Sequence, residues 1–186
     1  MKIINGEYSG RNIFMPYGIR PTQNVLKKSL FDIIGQDLSG MTFLELFAGS
    51  GAIGFEALSC GASEVYFVEH NAKCKAVIEE NLTILRPADR DLKAFVIQQD
   101  AYAAVKQFAR EGKKFDVVFF DPPYGLKLAK KALKTLMTHD ILAPHSFLVA
   151  QYHHEEKMPE VDESAGLTLV KDKLYGTSRL TIYERR

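Results

Sequence analysis

The chain has 186 residues, of which 46% are hydrophobic and 25% charged, which fits one globular domain with a real core and excludes a disordered chain. Its formal net charge of +1 excludes a global polyanion signal, but the first 28 residues carry Lys2, Arg11, Arg20, Lys27 and Lys28 against Glu7 alone, +4 against −3 for the remainder. That asymmetry reads either as a basic arm that meets phosphate or as an ordinary solvated surface.

"KIINGEYSGRNIF" predicts two short strands around Gly6 and Gly10, a hairpin-like arm over residues 1–20. "RPTQNVLKKSLFDII" predicts a docking helix over 21–35, with Thr22 as N-cap and Val25, Leu26, Ser29, Leu30, Ile33 and Ile34 as its apolar stripe. From about residue 41 strands and helices alternate: "TFLELF", a Gly-rich turn, "IGFEALSCG", "EVYFVEH", "AKCKAVIEENLTIL", "AFVIQQD", "YAAVKQFAREG", "FDVVFF", a lysine-rich helix, then "FLVAQY". Short apolar strands joined by amphipathic helices imply right-handed crossovers and a parallel sheet covered on both faces. "HHEEKMPEVDESAG" reads as a surface loop, and "LTLVKDKLYGTSRLTIYE" as a hairpin turning at Tyr175-Gly176-Thr177 and closing one sheet edge. The chain is expected to be one domain, 1–186, with its core over 41–186. Cys60 and Cys74 stand apart without a CxxC and are expected to be packed helix residues in a reduced, cytoplasmic setting, with no metal site. The start "MKIINGEYSG" lacks the apolar stretch of a signal peptide, and no apolar run approaches the ~18 residues of a membrane span.

In an open α/β sheet, ligands sit beyond the carboxyl ends of the strands. After the first strand, "ELFAGSGAIG" matches GxGxxG at Gly49, Gly51 and Gly54, and Glu69 ends the second strand twenty residues beyond Gly49, where a carboxylate accepts bonds from ribose hydroxyls. A dinucleotide site or a plain strand-to-helix turn would also carry these glycines. Glu45 discriminates: a carboxylate four residues before the first glycine, at the lip of the pocket, repels a pyrophosphate but suits a ligand bearing an ammonium and a sulfonium. S-adenosylmethionine is such a ligand. Asp100-Ala101, at the third strand's end, can accept from an adenine amino group.

"VVFFDPPYGL" delivers Asp121, Pro122, Pro123 and Tyr124 to the same edge. Two prolines give up two backbone donors and stop ladder or helix, so the turn is also consistent with a plain break capped by Asp121. As chemistry, the Asp121 carboxylate and Pro122 carbonyl would accept from the two N–H groups of a nucleobase amine. That favours pyramidal nitrogen and aims its lone pair at a methyl donor, with prolines that spare reorganisation. Tyr124 offers a face for a flipped-out base, worth about 1–3 kcal/mol in comparable single-strand sites.

"FAGSGAIG" with "DPPY" resembles the Rossmann-like amino-methyltransferases. "RPTQNVLKKSLFDII", "LELFAGSGAIGFEALSCGA", "VEHN", "FFDPPY" and "YGTSRLTIYE" resemble, nearly end to end and in order, the bacterial ribosomal small-subunit methyltransferase D family. The resemblance implies a class I methyltransferase fold, a mostly parallel seven-stranded sheet with helices on both faces. It implies methylation of guanine N2 in 16S rRNA of the small subunit by a monomer, with S-adenosylmethionine as cofactor. By matched position it places cofactor contacts at Glu45, Phe47, Gly49, Ser50, Gly51, Glu69, His70, Asp100 and Ala101, and catalysis at Asp121 to Tyr124. Its "RPT" matches Arg20, Pro21 and Thr22, an arm near the pocket, while Gln23, Asn24 and Lys28 depart from the Thr-Asp and later Glu of many relatives. Lys127, Lys130, Lys131 and Lys134, at helical spacing after DPPY, read as either a phosphate grip or a solvated helix face. Three rivals stay open: a DNA adenine-N6 methyltransferase, disfavoured because no stretch remains for target recognition; a glutamine-N5 protein methyltransferase, for which Asn would be expected at Asp121; and a nucleotide-binding module without catalysis.

Overall fold

The computed structural model describes residues 1–18, 22–85, 93–125, 127–159, 161 and 166–186. In chain order the elements are α1 (Asn24–Ile34), β1 (Thr42–Leu46), α2 (Ala52–Ser59), β2 (Glu64–Glu69), α3 (Ala72–Leu85), β3 (Lys93–Gln98), α4 (Ala101–Arg110), β4 (Phe115–Phe120), α5 (Leu128–Thr138), β5 (Leu142–His153), β6 (Leu167–Tyr175) and β7 (Ser178–Arg185). The strands form one seven-stranded sheet in the order β3-β2-β1-β4-β5-β7-β6. The first five run parallel, and the C-terminal hairpin joins antiparallel, with β7 between β5 and β6. The parallel sheet expected from the alternating pattern, and the Rossmann-like form implied by the resemblance, are therefore present, and the strand order reverses between β1 and β4, where a crevice opens.

Alternation along the strands sorts the core into two layers. Phe43, Val65, Phe67, Val117, Phe119, Val149 and Leu180 pack toward α1, α2 and α3. Leu44, Val68, Val118, Phe120 and Leu148 pack toward α4 and α5. Following the first face to the carboxyl edge, the next inward positions are Glu45, Glu69, Asp121 and Gln151. A polar row thus crowns an apolar layer.

The N-terminal arm departs from its expected form. It folds back on itself through an isolated antiparallel bridge, Lys2 to Asn12, instead of two strands, because its polar groups bond to helices as well as to each other. Glu56 of α2 accepts from the Ile4 and Asn5 amides at 2.9 and 3.0 Å, Ser59 Oγ from the Tyr8 amide at 2.8 Å, and Asn81 of α3 grips both the N–H and C=O of Phe14. α1 also begins differently. Its N-cap is Gln23, with no side-chain cap, and not Thr22. Its buried face is Leu26, Lys27, Leu30, Phe31 and Ile34, while Val25 faces outward. Lys27 is buried because its Nζ donates to Glu56 Oε1 at 2.8 Å and to the Lys2 carbonyl at 2.7 Å. One of the five cations of the basic segment is therefore neutralised inside the protein.

Removing one member of a fully buried pair strands the other charge, at a cost of about 3–5 kcal/mol. Lys27→Met is expected to lower unfolding free energy by that order, and Lys75→Ala, which breaks the solvent-reached Lys75–Glu79 pair, by less than about 1 kcal/mol. Urea denaturation of the two variants checks this; equal small losses would show that the buried pair is not holding the arm.

Candidate active site

The strand ends of β2, β1, β4 and β5 enclose a cavity of about 360 Å³. On the β1 side, Phe47 turns the chain in the left-handed region at φ 57, an uncommon state for an aromatic that is held here by its surroundings. Its ring meets Tyr102 edge-on at 5.8 Å. Gly51, at φ 74, then caps α2. Gly54 lets α2 lie against the sheet, since a Cβ there would stand 2.2 Å from the Phe67 ring and 2.8 Å from Glu45 Oε2.

Glu45 does not sit at the lip. It is buried beneath the loop, accepting from the Ile53 and Gly54 amides at 3.2 and 2.9 Å, donors that the first turn of a helix leaves unpaired. Burial pushes its carboxyl up to about 8; the two amides pull down, and the Asp121 and Glu69 carboxylates push further up. Glu69, also buried, accepts from the Gly49 amide and from the Asn71 amide, each at 2.8 Å, while exposed His70 places Nδ1 3.1 Å from Glu69 Oε1.

Asp121 leaves β4 with Oδ1 sealed from solvent and without a partner, and burial raises its carboxyl to about 7. Pro122 is buried, Pro123 and Tyr124 face out, and the Tyr124 hydroxyl bonds Ser178 Oγ at 2.6 Å with its ring edge-on to His153 at 5.1 Å. Glu45, Glu69 and Asp121 thus meet in a cavity whose described lining holds no Lys or Arg. With Glu45 and Asp121 raised, part of that negative charge is withheld at neutral pH, and a bound cation would draw both carboxyls back to the ionised form.

A family model described as conserved hypothetical protein 95 matches residues 1–184. Ribosomal RNA small subunit methyltransferase D of Haemophilus influenzae is 32% identical, covering 99% of this chain and 93% of that protein. A Bacillus subtilis protein described as a putative rRNA methyltransferase is 32% identical over the whole of both chains. The chain belongs to the ribosomal RNA small subunit methyltransferase D family. A solved structure of a putative methyltransferase from Escherichia coli has TM-score 0.86 at 28% identity, covering 100% of this chain and 98% of that one, so the two share their fold over the described sheet and helices.

Of the residues singled out in the sequence, Thr22, Phe47, Gly49, Ser50 and His70 line this cavity together with the three carboxylates and the Asp121–Tyr124 turn. Gly51 is outside the lining, where a Cβ would stand 3.0 Å from the Phe55 and Phe67 rings. Asp100 and Ala101 are outside the lining: Asp100 is the N-cap of α4, its Oδ1 taken by the Ala103 amide at 2.9 Å, and Ala101 is buried as the first residue of that helix. Lys127, Lys130 and Lys131 line a separate shallow concavity with Lys134, and Lys131 Nζ stands 4.0 Å over the Tyr102 ring. Arg20 lies outside the described residues. Gln151, Ser178, Asn71 and Cys74 also line the cavity and were not singled out as site residues. Gln151 had a signal, one polar side chain on the inward face of "FLVAQY"; Ser178 lay unread within "YGTSRL".

Both raised carboxyls bind protons in the folded protein that they release in the unfolded chain between about pH 4 and 8. Their contribution to stability is thus full below about pH 4 and is lost as pH rises through 7 to 8. The thermal midpoint of the ligand-free protein should therefore fall between pH 6 and 8.5, and Glu45→Gln should flatten that slope. A slope identical to the parent would show that Glu45 is already ionised at pH 6.

Proposed function

We propose that residues 1–186 act as a single domain that methylates the exocyclic N2 amine of a guanine in 16S rRNA, within the small ribosomal subunit or a late assembly intermediate, using S-adenosylmethionine. The observation that carries this reading is the sealed, unpartnered Oδ1 of Asp121, a residue that lines a cavity shared with two further carboxylates. Buried acceptors are costly unless a donor arrives, and an amino group is such a donor.

The cofactor fits the residues present. When bound, S-adenosylmethionine supplies an electrophilic methyl group on a sulfonium. Its two positive centres match a lining with three carboxylates and no described cation. Glu69 can accept from ribose hydroxyls while it keeps the Gly49 amide, and Phe47 offers an apolar wall. Asp100 and Ala101, outside the lining, are not assigned an adenine contact in this reading. Asp121 Oδ1 and the Pro122 carbonyl take the two N–H groups of the target amine and leave its lone pair free to attack. With burial holding its carboxyl near 7, Asp121 can keep the proton that the amine releases afterwards. Tyr124 stacks the base, and its bond to Ser178 fixes the ring. Lys127, Lys130 and Lys131 would meet phosphate beside the site, the protein working as a monomer in the cytoplasm.

Transfer of labelled methyl to small subunits from a strain lacking this gene, followed by nucleoside identification, tests the reading. N2-methylguanosine is expected; N6-methyladenine from duplex DNA in the parallel reaction, with none from the particle, would replace it by the DNA reading. Asp121→Ala should lower kcat by at least about 100-fold, the order for loss of a positioned transition-state contact, with cofactor Kd changed by less than about threefold. Tyr124→Phe should lose less than tenfold, and Tyr124→Ala about 10- to 100-fold. Equal losses in kcat and cofactor affinity for Asp121→Ala would remove its assigned role.

A further inference from the structure

Beside Asp121 lies a second buried acceptor without a partner. Gln151, on β5, is 5% exposed, and its Oε1 is sealed from solvent with no hydrogen bond, although the side chain lines the cavity. The β4–β5 register pairs Phe119 with Val149 and Phe120 with Ala150, so Asp121 and Gln151 stand one step further on as neighbours, on the same face. Adjacent strands are about 4.8 Å apart. Both residues therefore line the cavity from neighbouring strands, each with one oxygen that no group of the protein satisfies.

We propose that Gln151 reads the target base, its Oε1 accepting the ring N1–H of guanine while Asp121 and the Pro122 carbonyl hold the neighbouring N2 amine. This deepens the guanine-N2 reading above and rests on it. Two adjacent acceptors are satisfied by an edge with two adjacent donors. Guanine presents that edge, N1–H beside the N2 amine. Adenine and cytosine present an amine beside a ring nitrogen that is itself an acceptor, so either base would set a lone pair against Gln151 Oε1. A pocket built to pair a buried polar group discriminates strongly against a ligand lacking the partner, because the group is then left unpaired. Ser178, two residues before the Leu180 that pairs with Gln151, holds the Tyr124 hydroxyl. The stacking ring and the base-reading amide are thus fixed by one strand pair.

The test compares Gln151→Leu, which removes the acceptor, with Gln151→Glu, which keeps an acceptor at the same reach and removes the amide donor. Small subunits from a strain lacking this gene are methylated by each variant, with product nucleosides identified, cofactor Kd measured by calorimetry and thermal midpoint recorded. Gln151→Leu should lower kcat/KM for the particle 10- to 100-fold, with cofactor Kd within about twofold and a thermal midpoint no lower than the parent's. Gln151→Glu should stay within about fivefold of the parent. Full activity of Gln151→Leu, a loss that follows weakened cofactor binding, or a Gln151→Glu as damaged as Gln151→Leu would each overturn the assignment while N2-methylguanosine from the parent keeps the broader reading. A parent product other than N2-methylguanosine would overturn both.

Discussion

The site depends on a carboxylate placed where helix α2 most needs one. A helix begins with unpaired amides, and a positive partial charge gathers there. Glu45 reaches those amides from the neighbouring strand and so fixes where α2 starts and how closely it approaches the sheet. Gly54 permits the approach, and Phe47 takes up the turn between strand and helix in a left-handed conformation. The loop is tied in turn to β2 through the Gly49 amide on Glu69. Two acidic side chains from adjacent strands hold the loop and also give the cavity its sign. The same groups that stabilise the turn leave the space above it in want of a cation.

The far side of α2 is held by a different device. Glu56 collects Lys27 from α1 and the amides of Ile4 and Asn5 from the arm, all within one buried cluster. Alone, a buried carboxylate would be costly, but here its lone pairs are met by a cation and by backbone donors. Sequence-distant segments are thereby drawn onto one helix: the Ile4–Glu56 bond spans 52 residues. The positive character of the N-terminal segment is correspondingly smaller at the surface than its composition implies. Among the described residues of that segment, the cations that remain outside are Lys2, Arg11 and Lys28.

What the sequence makes legible follows from how local the signal is. GxGxxG, a strand-terminal carboxylate and DPPY each encode a backbone event within a few residues, and each sits at the carboxyl edge of the sheet. The parallel core and closing hairpin were legible for the same reason, as period-two strands separated by period-3.6 helices. Misreadings arose where the partner lies elsewhere. Thr22 has a capping residue's chemistry, yet the chain is still extended at Gln23. Lys27 counts in the sequence among cations that meet phosphate or solvent, and only the fold brings Glu56 beneath it. Gln151 and Ser178 are separated by the whole C-terminal loop, and only the sheet register makes them neighbours of Asp121 and Tyr124.

That register also gives the site its rigidity. Glu69, Glu45 and Gln151 project from one face of the parallel strands β2, β1 and β5, and Asp121 follows directly on β4 between the last two, so their spacing is set largely by the sheet. Tyr124 is the exception in being carried on a turn, and it is the residue anchored twice, by hydroxyl to Ser178 and by ring to His153. In the proposed reaction the acidic half of the cavity, under β1 and β2, receives the methyl donor. The half under β4 and β5, with orphaned acceptors and an aromatic face, receives the amine. The two halves meet between strands β1 and β4, the pair at which the sheet order reverses. Acceptors fixed in this way need no reorganisation when charge develops on the amine, and a base whose edge does not present two donors leaves a buried oxygen unpaired before any bond is made.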